Sequence, residues 1–150
     1  MMTAAAPITL SEASVRTASP KYSPMNTGAV SGGIAVLLRA EGFAAFATAL
    51  ALYGYAGFSW PLFALLFLAP DLAMVAYVAG PRFGAFGYNL VHTYAVAVAI
   101  TLAGFFGGMP AAIGGGLILI AHIGFDRALG FGLKYSTGFS DTHLHRVSRG

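Results

Sequence analysis

Four apolar segments of roughly 20 to 25 residues dominate this chain, and each is long enough as a helix to cross a hydrocarbon core of about 30 Å. They cover residues 34–56, 60–79, 83–107 and 111–134. Inside a bilayer every backbone N–H and C=O needs an internal partner, which leaves only helices and closed barrels. Segments this long exceed the roughly 9–11 residues of a barrel strand. The expected fold is therefore all-α: an integral membrane four-helix bundle. Composition agrees, since 57% of the residues are hydrophobic and only 9% are charged, against roughly 25% charged in soluble domains.

The punctuation between segments is that of helix ends. Gly57-Phe58-Ser59 closes the first and offers Ser59 as an N-cap for the second, with Pro61 tolerated in its first turn and Trp60 suited to the interface. Gly80-Pro81-Arg82 and Gly107-Gly108-Met109-Pro110 form the next two turns. Within the second segment Pro70 removes one intrahelical hydrogen bond beside Asp71. Residues 1–32 mix Ser, Thr, Pro and Ala without helical periodicity and are expected to form a disordered N-terminal tail. They carry no basic stretch followed by a short apolar run, so they do not form a secretory signal. Residues 33–135 hold the bundle, and 136–150 are too polar and too short for a fifth span, leaving a C-terminal tail that includes His145.

The basic residues set the orientation. Arg16, Lys21 and Arg39 precede or begin the first span, Arg82 lies between the second and third, and Lys134, Arg146 and Arg149 follow the fourth. The loops after the first and third spans have none, which predicts cytoplasmic termini in an inner (plasma) membrane, multi-pass. A net charge of +3 spread in this way indicates topology rather than a nucleic-acid partner. The absence of cysteine excludes disulfides and thiolate chemistry, so any metal must be held by histidine and carboxylate.

Under that topology the intramembrane polar residues fall at one depth, in the cytoplasmic half. Glu41 lies about two turns into the first helix, and Asp71 sits in the second. Asn89 and His92 share a face of the third, while His122 and Asp126 are i,i+4 neighbours on the fourth, beside Arg127. Ionisable groups in hydrocarbon cost roughly 2.5–3.5 kcal/mol each, so these side chains should face one another. Asp71, His92, His122 and Asp126 are the expected ligands for a divalent metal, with Zn, Mn and Fe(II) all compatible with imidazole and carboxylate. Glu41 or His143 would move a proton, and Asn89, Arg127, Lys134 and Asp141 would contact an anionic lipid or amphiphile. The 141–143 stretch is close enough in sequence to fold over the cytoplasmic mouth.

Plainer roles compete with these. A lone histidine in a membrane helix commonly serves as an interhelical hydrogen-bond donor, Arg39 is placed to extend to the interface, and Asp126 with Arg127 can form a structural ion pair. The leading function is a metal-dependent hydrolase of a lipid or amphiphile. A small transporter or proton relay is the alternative, followed by haem ligation through His92 and His122 and by a non-enzymatic membrane partner. Small-residue stretches at 80–84 and 104–108 suit packing within the chain or in a homo-oligomer.

LRAEG at 38–42, LAPDL at 68–72, YNLVHTYA at 88–95, AHIGFDRALGFGLKY at 121–135 and DTHL at 141–144 together resemble a family of small bacterial membrane proteins, domain-of-unknown-function family 4260. The resemblance spans about residues 37–144. It implies a four-helix integral membrane protein of bacteria whose motif residues form its working part, and it supplies no reaction. A fainter likeness to inner-membrane metal-dependent hydrolases exists only at the level of fold.

Overall fold

The computed structural model describes residues 28–144. Of the expected tails at 1–32 and 136–150, residues 1–27 and 145–150, with Arg16, Lys21, His145, Arg146 and Arg149, lie outside the described residues. Five α-helices and one 3₁₀ segment make up the fold: α1 (Gly32–Tyr55), α2 (Trp60–Phe67), the 3₁₀ segment (Ala69–Ala79), α3 (Pro81–Val91), α4 (Tyr94–Phe106) and α5 (Pro110–Leu129).

Three stretches are long and apolar enough to span a membrane: α1, the continuous Trp60–Ala79 unit, and α5. A fourth span results if α3 and α4, bent by 40° at a short break, are counted as one. Their outward faces are apolar, with Val36, Leu65, Leu72, Val78, Phe86 and Phe106 all exposed. Such a surface suits lipid and would aggregate in water. The protein is thus a multi-pass helical membrane protein.

Two of the predicted helices differ from regular α-helix for local reasons. In the second, Pro70 has no N–H to give, and the Asp71 N–H bonds Leu68 O three residues back, the tighter 3₁₀ pattern that continues to Ala79. In the third, the ladder stops at His92 although neither Gly nor Pro stands there. The His92 N–H and ring Nδ1 both engage the Tyr88 carbonyl, and Thr93 takes an extended conformation. The fourth helix ends earlier than predicted, at Leu129. Gly130 adopts the left-handed conformation that closes it, with the Gly130 and Phe131 N–H groups bonding Arg127 O and Asp126 O.

α5 is the centre of the bundle, packed against α1 on one side and α4 on the other, while α3 packs on the 3₁₀ segment. These contacts are made nearly backbone to backbone through glycines. Gly42 and Gly124 face each other across α1 and α5, and Gly104 and Gly116 serve α4 and α5. Gly84 lies under the ring of Tyr77. The small-residue faces around Gly84 and Gly104 are therefore used within the chain. Near the turn after α1, Tyr53 is buried with Leu117 and Ile118, and its hydroxyl bonds Ser59 O at 2.9 Å.

Beyond Gly130 the chain doubles back. Lys134 and Thr142 form an antiparallel bridge, and Tyr135 N–H bonds Asp141 O at 2.8 Å. Val30 N–H to His143 O and Tyr135 O–H to Gly28 O tie the residues before α1 to this hairpin. The 141–143 stretch does fold back against the end of α5.

Candidate metal centre

Four side chains from three parts of the fold converge at one point. Asp71 comes from the start of the 3₁₀ segment, His92 from the break between α3 and α4, and His122 and Asp126 from successive turns of α5. One ligand atom from each lies within 4.8 Å of all the others. The two Nε2 atoms are 3.1 Å apart. Asp71 Oδ1 is 3.5 Å from His92 Nε2 and 3.6 Å from His122 Nε2, and Asp126 Oδ2 is 3.7 and 3.6 Å from the same atoms. A tetrahedron with bonds of about 2.0–2.1 Å has edges of about 3.3–3.4 Å, and these five separations fall close to that, while the two carboxylate oxygens lie within 4.8 Å of each other.

Charge and tautomer fit as well. Two carboxylates and two neutral imidazoles carry the charge that one divalent cation cancels, which matters in a low-dielectric interior. His92 Nδ1 donates to Tyr88 O at 2.8 Å, so its Nε2 lone pair faces the cluster. No hydrogen-bond partner among the described residues meets His122 Nδ1, and packing holds that ring instead, edge-on to Phe67 and His92. Both histidine side chains are almost wholly enclosed, at 2–3% accessible, and Asp126 is at 16%. Asp71 is the open side, at 35%.

Sequence reasoning named these four and missed Tyr88. Its hydroxyl donates to Asp126 Oδ2 at 3.2 Å and its ring stacks on His92 at 3.6 Å between centroids, 11° from parallel. Its carbonyl fixes the His92 tautomer. The i,i+4 spacing of Tyr88 and His92 was the available signal. Tyr88→Phe keeps the ring and carbonyl but removes the bond to Asp126, and metal affinity measured by chelator competition should fall roughly 10- to 100-fold with helix content unchanged.

The other expected site residues surround the cluster without joining it. Glu41 is exposed on α1. Gly42 faces α5, and one residue is a rotation of about 100°, so Glu41 turns off that interface. Asn89 commits both ends of its amide to the main chain of Lys134, accepting from its N–H at 2.7 Å and donating to its carbonyl at 2.9 Å. Arg127 Nη1 lies 2.8 Å from His143 Nε2, while Leu133 N–H donates to His143 Nδ1. Burial and the neighbouring Arg127 charge hold the His143 pKa below the usual value. Burial also lowers that of Lys134, whose Nζ donates to Phe139 O and sits over the rings of Phe139 and Tyr88. Asp141 is buried and accepts from Thr137 Oγ1 at 2.7 Å.

Fold and site together define a polytopic helical membrane protein with a buried His/Asp cluster capable of holding a divalent metal. The sequence model of one family, described as Domain of unknown function (DUF4260), matches residues 35–147. That is most of the chain, and the protein belongs to this family. No curated protein and no solved structure matches it.

Proposed function

We propose that the protein is a membrane-embedded, metal-dependent hydrolase of a lipid or other amphiphile that enters from the cytoplasmic leaflet of a bacterial inner membrane. The observation that carries this reading is the convergence of Asp71, His92, His122 and Asp126, one ligand atom of each within 4.8 Å of the others. Zn, Mn or Fe(II) held there would supply Lewis-acid polarisation of a carbonyl or phosphoryl group.

A catalytic metal needs a position open to substrate, whereas four fixed protein ligands close a tetrahedral site. Asp71 is the ligand suited to yield. It has the most accessible side chain of the four and sits on the 3₁₀ segment behind Pro70, away from the rigid α5 that carries His122 and Asp126. An apolar crevice of about 270 Å³ borders the cluster, with Pro70, Val91 and Ile118 in its wall. Pro70 and Val91 immediately precede Asp71 and His92, and Ile118 is one turn before His122, so an alkyl chain in the crevice lies beside the ligands. Arg127 and Lys134 would balance an anionic head group, and His143 rather than the outlying Glu41 would carry the proton.

Haem is disfavoured, because Nε2 atoms 3.1 Å apart with two carboxylates beside them leave no room for a porphyrin between the rings. The test is hydrolysis of a panel of lipid esters and phosphoesters in proteoliposomes supplied with Zn, Mn or Fe(II). The expected result is turnover that chelator and Asp126→Asn both abolish. Absence of turnover, together with proton or cation flux that Asp126→Asn abolishes, would replace the hydrolase with a relay.

A further inference from the structure

A second cavity, of about 410 Å³, opens where α1, the end of α5 and the 131–142 hairpin meet. Its wall carries two cations, Arg39 and Lys134, with Ser140 and Thr142 beside them and the apolar Leu129 and Phe131 at its edge. Among the described residues no carboxylate lies within ion-pair distance of either cation, Asp126 and Asp71 acting on Lys134 only from farther off. Two cations around one concave space, neither in a direct ion pair, provide the electrostatic setting of an anion site.

Both cations line the cavity from defined places, and Lys134 is held there. The Arg39 guanidinium lies on Gly130, where an added Cβ would come within 2.5 Å of Nη2 and 3.0 Å of Cζ. Arg39 reaches across from α1 to the end of α5 and so does more than extend to the interface. Lys134 is fixed through its backbone by Asn89 and through its ammonium by Phe139 O and two ring faces, 3.9 and 4.8 Å from their centroids. One ammonium N–H is used on Phe139 O, and two remain for a ligand. A planar guanidinium opposite an ammonium, with hydroxyls nearby, suits a tetrahedral oxyanion of more than one charge. Leu129 and Phe131 are exposed at the edge of the cavity, where they would meet an alkyl chain attached to that anion.

We propose that this cavity binds a phosphate group, with Arg39 and Lys134 as its charge partners, and that the phosphate is the head of an amphiphile whose chain lies along Leu129 and Phe131. The site stands whether or not the His/Asp cluster holds a metal, so it is tested on chelator-treated protein. Lys134 links the two sites physically, since the Tyr88 ring under its ammonium carries the hydroxyl bonded to Asp126.

The experiment is calorimetric titration of the full chain in a non-ionic detergent with dihexanoyl phosphatidic acid, dihexanoylglycerol and inorganic phosphate. The phosphatidic acid should bind more tightly than either comparison ligand and lose affinity as salt is raised. Arg39→Gln and Lys134→Gln should each weaken it roughly tenfold, the scale of one charge-assisted hydrogen bond. Inorganic phosphate binding as tightly as the lipid would keep the anion site and overturn the amphiphile. Equal binding of dihexanoylglycerol would overturn the site, as would affinity indifferent to both substitutions. The salt dependence is read on the unaltered chain, so indifference to salt would also sink the proposal even if a variant failed to fold.

Discussion

Elemental analysis of His122→Ala protein, purified in mild detergent without chelator or a metal-affinity tag, is expected to show no Zn, Mn or Fe, where the unaltered chain shows close to one ion per chain. The substitution removes one of four candidate ligand atoms, and its imidazole Nε2 lies 3.1 to 3.6 Å from the other three. Loss of supporting hydrogen bonds around such ligands costs 10- to 100-fold in affinity, so loss of a ligand itself should exceed about 100-fold. Asp126→Asn serves as a second test, since it keeps the side-chain volume and the i,i+4 placement. The bundle should survive both changes, because α5 meets α1 and α4 at close glycine contacts in which the imidazole takes no part. Unaltered protein that stays empty when metal is supplied would remove the basis of the hydrolase reading. The four side chains would then be a proton-sharing network.

The second large effect concerns the fold. Gly124→Leu should separate α1 from α5 and abolish accumulation of folded protein. A Cβ at Gly124 would stand 2.6 Å from Phe46 N and 2.7 Å from Gly42 O, and backbone atoms in a packed helix cannot give way as a flexible side chain does. Gly42 meets the reciprocal obstacle, 2.5 Å from Arg127 Cβ and 2.9 Å from Ala128 N. Overpacking of this kind costs roughly 1–3 kcal/mol where neighbours can adjust, and more where they are main chain. Gly124→Ala should itself lower the melting temperature in detergent. Gly115→Ala is the control on the same helix: nothing lies within 4 Å of its added Cβ, so stability should be unchanged or slightly raised. Equal melting temperatures for Gly124→Ala and Gly115→Ala would show that α1 and α5 do not approach this closely.

These two predictions draw on what was legible in the sequence to different degrees. The cluster ligands could be named in advance because hydrocarbon penalises every ionisable group, and only a few such residues interrupt the apolar segments. Helical spacing then put His122 and Asp126 on one face. Glu41 met the same test of depth and still lies apart, because rotation about the α1 axis is set by Gly42 packing on α5, a contact between segments more than eighty residues apart. Asn89 looked available to a ligand. Its commitment to the Lys134 main chain depends on where the returning chain after α5 passes α3, which a fold-back of 141–143 expected from the sequence does not specify.

Membrane character, helix lengths and most helix ends follow from short-range causes such as runs of apolar side chains, Pro70, and the Gly and Pro of the turns. Such causes act within a few residues and can be read along the chain. The break at His92, the Tyr88 hydroxyl on Asp126, the Arg39 guanidinium on Gly130 and the pairing of His143 with Arg127 arise differently. In each, a side chain meets a group from another part of the chain that only the packed helices bring near. Which partner that is depends on helix rotation and tilt, settled by the glycine contacts around α5.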